Sequence, residues 1–434
     1  MNSTIPGGAA IGIDFGTTNS SVALARADGA VELAVFPFGD ELTDAYRSLL
    51  YLEQEKQHGR NVLKSWSGPR AIERYLDADE KGRLIQSLKS FLTSRTLRGT
   101  EIFGRHHTLE ELVSRILRDL KDQAEKQFGV AIRAATVGRP VNFVGAESDD
   151  DNKFAEGRLV AAFRLAGFDS VRFALEPVAA AYHYESILDR DELLLIGDFG
   201  GGTSDFSLIH VGPTVRRRGR RAEDLLGHAG LGLAGDTFDA KIIHHLVSPA
   251  LGAGTQLRSI DKILPVPVWI YAKLERWHHL SLLKSKDTIE MIRVVQTQAL
   301  EPEKISALLH LIREDLGYRL HQSVQALKRD LSAQPQATFR FSDGVVTLED
   351  FVERSDFEAW IADELGRIAT CIDSLLSACK IRPEQVDRVF LTGGTSFVPA
   401  VRRIFETRFG AGRIQTGNEF TSVARGLALL GLRK

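Results

Sequence analysis

The chain has 434 residues, 43% hydrophobic and 26% charged, with a formal net charge of −2. That length exceeds what one hydrophobic core serves, since cores stop growing near ~250–300 residues, so at least two lobes are expected. The near-neutral balance gives no bulk electrostatic case for nucleic acid or a membrane surface, no apolar run approaches the ~18 residues of a membrane span, and Met1–Ala10 lacks the basic region and apolar core of a signal peptide, which makes the cytoplasm the expected location.

Ala10–Ile13 and Val22–Arg26 read as two strands joined by a tip of glycine and small hydroxyl residues, Asp14-Phe15-Gly16-Thr17-Thr18-Asn19-Ser20-Ser21. Helical periodicity is expected at Ala71–Leu76, at Arg83–Leu92 and strongly over Leu109–Phe128, where Leu109, Leu112, Val113, Ile116, Leu117 and Leu120 share a face. Ala134–Val137 is a short strand ending at Gly138-Arg139-Pro140. The acidic patch Glu147–Asp151 before a helix at Phe154–Ala166 reads as a solvated cap favoured by the helix dipole. A strand at Val171–Leu175 leads through Glu176-Pro177 into a helix at Val178–Ile187, with proline at its preferred first-turn position. Strands at Leu193–Ile196 and Phe206–His210 flank a second glycine-rich tip. A helix-rich insertion is expected over roughly 238–333, then a strand at Arg388–Leu391, Gly393-Gly394, a helix at Val398–Arg408 and a last helix at Phe420–Leu432. Cys371 and Cys379 share one side of a helical stretch, Ile368–Lys380, and read as buried thiols rather than a redox pair.

The second tip repeats the first. Ile11-Gly12-Ile13-Asp14-Phe15-Gly16-Thr17-Thr18-Asn19-Ser20 and Leu195-Ile196-Gly197-Asp198-Phe199-Gly200-Gly201-Gly202-Thr203-Ser204 share an order: apolar strand, Asp-Phe-Gly, hydroxyl-rich tip, apolar strand. Such a repeat implies two structurally related halves. A glycine-rich turn aims several backbone N–H groups at one point and makes an anion nest. Two such turns, each led by an aspartate, suit a polyphosphate clamped from both sides. Asp14 and Asp198 would then face a bound Mg²⁺ through its waters, because Mg²⁺ dehydrates reluctantly. Gly393-Gly394 before a helix offers a flat surface and a helix N-terminus to the nucleoside.

Other motifs point elsewhere and are weaker. Asp-Phe-Gly occurs without a His-Arg-Asp loop or a strand lysine, so it does not indicate a protein kinase. No Gly-x4-Gly-Lys-Ser/Thr is present. Gly230-Leu231-Gly232-Leu233-Ala234-Gly235 matches a dinucleotide fingerprint without a clear βαβ unit around it. The run Arg216-Arg217-Arg218-Gly219-Arg220-Arg221 is expected in a solvated turn, with a partner contact as the alternative. His106-His107, His244-His245 and His278-His279 lack accompanying ligands and read as surface or packing residues.

These residues resemble the actin-like ATPase superfamily and, within it, the nucleotide-binding domain of the heat shock protein 70 (DnaK-type) chaperones. The resemblance rests on Ile13–Ser20, on Asp198–Asp205, on Glu176-Pro177-Val178-Ala179-Ala180-Ala181-Tyr182, and on Leu391–Pro399 with Phe397 where the family has arginine. Weaker matches are Gly138-Arg139-Pro140, Gly235–Asp239 and Lys328–Ser332. The stretch Trp269–Leu283 and the early stop resemble short YegD-type homologues.

The resemblance implies an α/β fold of two related, ribonuclease H-like lobes around a nucleotide cleft. Lobe I would run over 1–194, lobe II over 195–415 with its helical insertion, and a C-terminal helix over 416–434 would return toward lobe I. It implies that Gly16, Thr17, Thr18, Asn19, Gly200, Gly201, Gly202 and Thr203 hold the phosphates of ATP or ADP. Asp14 and Asp198 would organise Mg²⁺ through water, and Glu176 would position the attacking water. Thr203 would contact the γ-phosphate, and Lys328, Ser332, Gly393, Gly394 and Ser396 would line the nucleoside pocket. Pro140 matches a hinge that senses nucleotide state.

Two departures qualify this. The family has a first-lobe lysine that orients the attacking water, but the matching stretch, Gly68-Pro69-Arg70-Ala71-Ile72-Glu73-Arg74, holds none and leaves Lys64, Arg70 or Arg74 as candidates. The chain also stops where the family continues into a peptide-binding domain. The expected function is therefore a slowly hydrolysing, chaperone-like ATPase whose nucleotide state is read by a protein partner or co-chaperone. A small-molecule kinase of the same superfamily, a nucleotide-sensing scaffold and an actin-like filament protein are the alternatives.

Overall fold

The alternation in Ala10-Ile11-Gly12-Ile13-Asp14-Phe15 decides how the first hairpin sits. A strand turns successive side chains to opposite faces, so Ile11, Ile13 and Phe15 share one face while Gly12 and Asp14 share the other. In the computed structural model, which describes residues 8–39, 41–57, 60–78, 82–275, 283, 285–416 and 422–432, the three apolar residues are each only 1% exposed and enter a core. The chain forms two compact units, one of Met1–Gly232, Thr370–Ser396 and Phe405–Lys434, the other of Leu233–Ala369 and Phe397–Ile404.

The first unit holds two main sheets. In the first, β1 (Ala10–Phe15) pairs antiparallel with β2 (Asn19–Ala25), which pairs with β3 (Val31–Leu33). On its other side β1 pairs parallel with β4 (Ala134–Arg139), and β4 with β5 (Ser170–Leu175). In the second sheet, β6 (Glu192–Phe199) pairs antiparallel with β7 (Ser204–Val211), and β7 with β8 (Leu225–Leu231). Then β6 pairs parallel with β9 (Arg388–Thr392), and β9 with β10 (Ile414–Thr416). Both sheets thus carry the spatial order third, second, first, fourth, fifth, with the same parallel and antiparallel steps. The internal repeat read from two short motifs is a repeat of the whole five-strand unit.

Helices α1 (Leu109–Phe128) and α2 (Asp149–Leu165) lie in the core of the first sheet, contributing Leu112, Val113, Ile116, Leu120, Leu159 and Phe163. A capping box starts α1, with Thr108 and Glu111 each satisfying the other's backbone N–H. The opposite face of β1 and β2 carries small residues. Ala23 and Ala25 pack on Ala424 and Ala428 of the C-terminal helix Ser422–Leu432. A Cβ on Gly12 would overlap the backbone of that helix at Ala424 and Ala428, which explains the glycine in mid-strand. The same helix crosses α3 (Glu176–Ile187), where a Cβ on Gly426 would overlap the Ala179 carbonyl.

The second unit contains the helices Gly235–Ile242, Lys286–Gln298, Pro302–Arg313 and Gly317–Ala333. It also carries the hairpins Gln256–Ser259 with Lys262–Pro265 and Gln336–Ser342 with Thr347–Glu353. His244 contacts Glu275 at 2.7 Å and His245 stacks on Trp360, so both have packing roles. His278 and His279, and most of 269–283 beyond Glu275, lie outside the described residues. No helix among the described residues is long and apolar enough to cross a membrane.

Four expectations are corrected. Arg83–Leu92 is a strand, Arg83–Gln86, followed by a 3₁₀ turn, Leu88–Phe91, because Ser87 takes a left-handed φ of 56° that breaks any helix. The acidic cap residues lie inside the helix: α2 starts at Asp149 with Ser148 as N-cap, so Asp149, Asp150 and Asp151 form its first turn. The arginine run is a short helix, Pro213–Arg218, and its continuation; Arg217 and Arg221 are exposed as expected, while its other arginines are held by partners. Arg220 pairs with Glu185 at 3.0 Å, Arg218 pairs with Asp224, and Arg216 donates to the Glu185 carbonyl. Both cysteines are free but half-buried, with Cys379 donating to the Leu226 carbonyl. The dinucleotide fingerprint also fails on topology, since β8 is antiparallel to β7 and opens no βαβ unit.

Candidate active site

Each glycine-tipped hairpin delivers an aspartate at the end of its first strand. Asp14 ends β1 on the face opposite the core. Asp198 ends β6 on the face of Leu194 and Ile196, which pack against Val178, Ala181 and Tyr184 of α3. The N-terminal residue of α3 is Glu176, so the helix that covers the second sheet carries its own carboxylate to the strand ends. Glu176 and Asp198 both push the Asp14 carboxyl up, and Glu176 does the same to Asp198, so the two strand-end aspartates lie in the field of one shared carboxylate. A narrow cleft beside them is lined by Pro140, Glu176, Asp198, Asp205 and Thr392.

The cation in this cluster is Lys89. It sits in the 3₁₀ turn Leu88–Phe91 and its Nζ donates to Glu176 Oε1 at 2.9 Å, with only 8% and 15% of the two side chains exposed. Burial alone would lower the pKa of this lysine, but Glu176 and Asp14 outweigh it and the ammonium is held above its usual range. Two of the three sequence candidates are engaged elsewhere and the third is exposed. Lys64 pairs with Glu55, Arg74 pairs with Glu53 at 2.7 Å, and Arg70 is exposed at the start of the helix Pro69–Asp77. Lys89 was missed because its surroundings, Leu88, Phe91 and Leu92, mimic helical spacing and carry no motif of their own.

Asp205, on the outgoing strand β7, is the fourth carboxylate. It belongs to the repeated motif, yet nothing in the pattern singled it out. Burial, then the Asp198 and Glu176 charges, push it up to about 7, while a hydrogen bond from Thr203 opposes this. Asp14 is pushed up to about 8 by burial, Glu176 and Asp198, with Lys89 opposing. Asp198 is raised chiefly by burial, but the Thr392 hydroxyl donates to its Oδ1 at 2.6 Å and pulls the other way. Four carboxyl groups beside this lysine, with Asp14 and Asp205 held protonated toward neutral pH, make an oxygen-only donor set that suits a hard cation. Among the described residues no three His, Cys, Asp or Glu side chains are grouped to hold a metal ion directly.

The tips are half-exposed or exposed from Gly16 to Asn19 and from Gly200 to Thr203. A side chain on Gly16 would overlap the Asn19 carbonyl, so the first tip requires glycine. In the second, the Gly200 N–H donates to the Thr203 carbonyl at 2.8 Å and closes the turn. Gly393 has φ +85° and lies against the end of β6, where a Cβ would overlap the Phe199 carbonyl. Gly394 begins a short 3₁₀ turn, within which Ser396 is 1% exposed. In the second unit, Lys328 is ion-paired with Asp239 at 2.6 Å and donates to the Gly235 carbonyl, while the Ser332 hydroxyl donates back to the Lys328 carbonyl. Pro140 borders the cleft, its carbonyl accepting from Arg139, which also pairs with Glu156 at 2.8 Å.

A family model described as Hsp70 protein matches residues 71–258 and 311–432, well over half of the chain. The chain belongs to the Hsp70 family. Its α/β architecture of two repeated sheets is the actin-like ATPase fold that the family resemblance implied. Among curated relatives of this Hsp70-family chain, the chaperone protein DnaK of Thermosipho melanesiensis is 26% identical over 426 residues and that of Thermotoga maritima 26% over 429. The stromal 70 kDa heat shock-related protein of Pisum sativum chloroplasts is 25% identical over 441 residues. Each match covers 96% of this chain but only 58% of the two bacterial relatives and 52% of the plant one.

Proposed function

We propose that this chain binds ATP·Mg²⁺ and hydrolyses it slowly, and that nucleotide state alters what a protein partner or co-chaperone encounters. One observation supports this reading: the strand-end aspartates of two copies of one hairpin, Asp14 and Asp198, both lie in the field of the Lys89–Glu176 ion pair. Backbone and hydroxyl groups of Gly16, Thr17, Thr18 and Asn19 on one side, and Gly200 to Thr203 on the other, take the phosphates. Magnesium, when bound, neutralises phosphate charge and draws electron density from the bond that breaks. Asp14 and Asp198 hold its water shell. Glu176, hydrogen-bonded by Lys89, orients the attacking water, and Lys89 supplies the first-lobe cation that the family resemblance calls for. Gly393 and Gly394 give the nucleoside a surface without side chains. Ser396, Lys328 and Ser332 are carried into the proposal on the resemblance alone, as are the lobe limits 1–194, 195–415 and 416–434 and the hinge at Pro140.

Titration calorimetry with ATP and Mg²⁺, followed by single-turnover measurement, tests the reading. Tight binding, slow turnover and loss of turnover in Asp198→Asn are expected. Absence of nucleotide affinity in the intact protein overturns it, and binding without any turnover reduces the protein to a nucleotide-sensing scaffold.

A further inference from the structure

The sequence repeat makes Asp14 and Asp198 look equivalent, but their parallel neighbours differ. In the second sheet the register sets Asp198 directly beside Thr392 of β9. In the first, Ile13 stands beside Val137, so the next place along, opposite Asp14, falls to Gly138, which has no side-chain donor. Thr392 is 7% exposed, and its hydroxyl reaches Asp198 Oδ1 at 2.6 Å. An ionised carboxylate only accepts, so the threonine must donate. Both ends of this strand pair are pinned. At one end the Asp387 N–H donates to the Leu193 carbonyl and the Leu193 N–H donates to Asp387 Oδ2, each at 2.9 Å. At the other, Gly393 lets the chain lie directly on the Phe199 carbonyl. The register therefore keeps the Thr392 and Asp198 Cα atoms side by side, within reach of this hydrogen bond.

We propose that Thr392 is a positioning residue for Asp198, occupying one carboxylate oxygen so that the other is presented in a fixed direction to the hydrated cation of the bound nucleotide. The inference rests on the ATP·Mg²⁺ reading above. It assigns a role to the residue one place before the glycines of the nucleoside turn, and it makes the two aspartates unequal, with Asp198 held rigidly and Asp14 free of such a donor.

Thr392→Val keeps shape and burial but removes the hydroxyl, Thr392→Ser keeps the hydroxyl, and Thr392→Ala removes it by a different packing route. ATP affinity is measured by calorimetry across a Mg²⁺ titration and again in EDTA. The Val and Ala variants are expected to need about tenfold more Mg²⁺ for half-maximal tightening of ATP, as for loss of one hydrogen bond to a charged group. Their metal-free ATP affinity should stay unchanged, and Ser should return the Mg²⁺ requirement to within about twofold of wild type, because it restores the charge-assisted bond. A wild-type Mg²⁺ dependence in both hydroxyl-free variants, or failure of Ser to rescue, overturns the proposal while leaving ATP binding intact. Wild-type protein that binds no ATP at all overturns the functional reading, and this inference with it.

Discussion

Lys89 shows how one side chain sets the behaviour of its neighbours. Its ammonium lies 2.9 Å from Glu176 and within the field of Asp14 and Asp198. Preorganised charge at a reacting phosphate supplies rate without reorganisation, and removal of one such group costs about 10²–10³ in turnover. Lys89→Ala should therefore lower single-turnover hydrolysis by about that factor while leaving ATP binding within a few-fold, since the glycine tips still hold the phosphates. Equal losses in binding and turnover would place Lys89 outside the chemistry.

Asp14 yields a pH prediction of definite sign. In the nucleotide-free fold it keeps its proton up to about pH 8, against an ordinary value of 3.8 in the unfolded chain. Between those values the folded state binds more protons, so this stability is complete below 3.8 and is lost as pH rises through 8. Asp205, pushed up to about 7, acts in the same direction. His107, His228 and His245, lowered chiefly by burial, act oppositely, gaining stability as pH rises toward their usual 6.5. The melting temperature of the nucleotide-free protein should therefore fall from about pH 6.5 to 8, and Asp14→Asn should flatten that slope. A calorimetric scan series in which the wild type stays level across this window contradicts the assignment.

At the next level up, glycines fix how elements meet. Gly426 lets the C-terminal helix touch the Ala179 carbonyl of α3, and Gly12 lets β1 touch the same helix at Ala424 and Ala428. The helix thereby braces α3, whose first residue is Glu176. Gly426→Ala drives a methyl into a backbone atom that cannot rotate away, so it should destabilise by at least about 1–3 kcal/mol in chemical denaturation. Turnover should also fall, because displacing α3 moves Glu176. A variant with unchanged stability and turnover would show that the crossing is looser than its geometry.

What the sequence revealed at this level, and what it hid, follows from the same physics. The two hairpins were legible because glycine, aspartate and hydroxyl residues at a strand end have few structural uses together. The helix Leu109–Phe128 was legible because its apolar stripe, its capping box and Gly129 after it all agree. The turn bearing Lys89 was not. Ile85, Leu88 and Leu92 fall at helical spacing, yet Ser87 adopts a left-handed conformation that only tertiary packing can enforce. The arginine run misled for a related reason. Its charges looked solvated because Glu185, 31 to 35 positions earlier in the chain, is brought beside it by the fold. Asp205 and Thr392 became visible only through sheet register, which no local pattern carries.

Taken whole, the first unit is one five-strand motif used twice, with a cluster of four carboxyl groups whose negative charge grows as Asp205 and Asp14 lose their protons near pH 7 and 8. A bare triphosphate would meet repulsion there, whereas the same triphosphate with a divalent cation neutralises it. Ligand that binds only the folded state adds stability by mass action, about 2.7 kcal/mol at a hundredfold excess over Kd. ATP with Mg²⁺ should therefore raise the melting temperature by several degrees, while ATP in EDTA should raise it much less. Mg²⁺ alone should partly offset the alkaline loss of stability attributed to Asp14, since it compensates the same charge. Thermal scans at pH 8 under the four conditions of no addition, Mg²⁺, ATP with EDTA, and ATP with Mg²⁺ separate these effects. If ATP stabilises equally with and without the metal, the carboxylate cluster is not a cation site and the phosphates are held by the glycine tips alone.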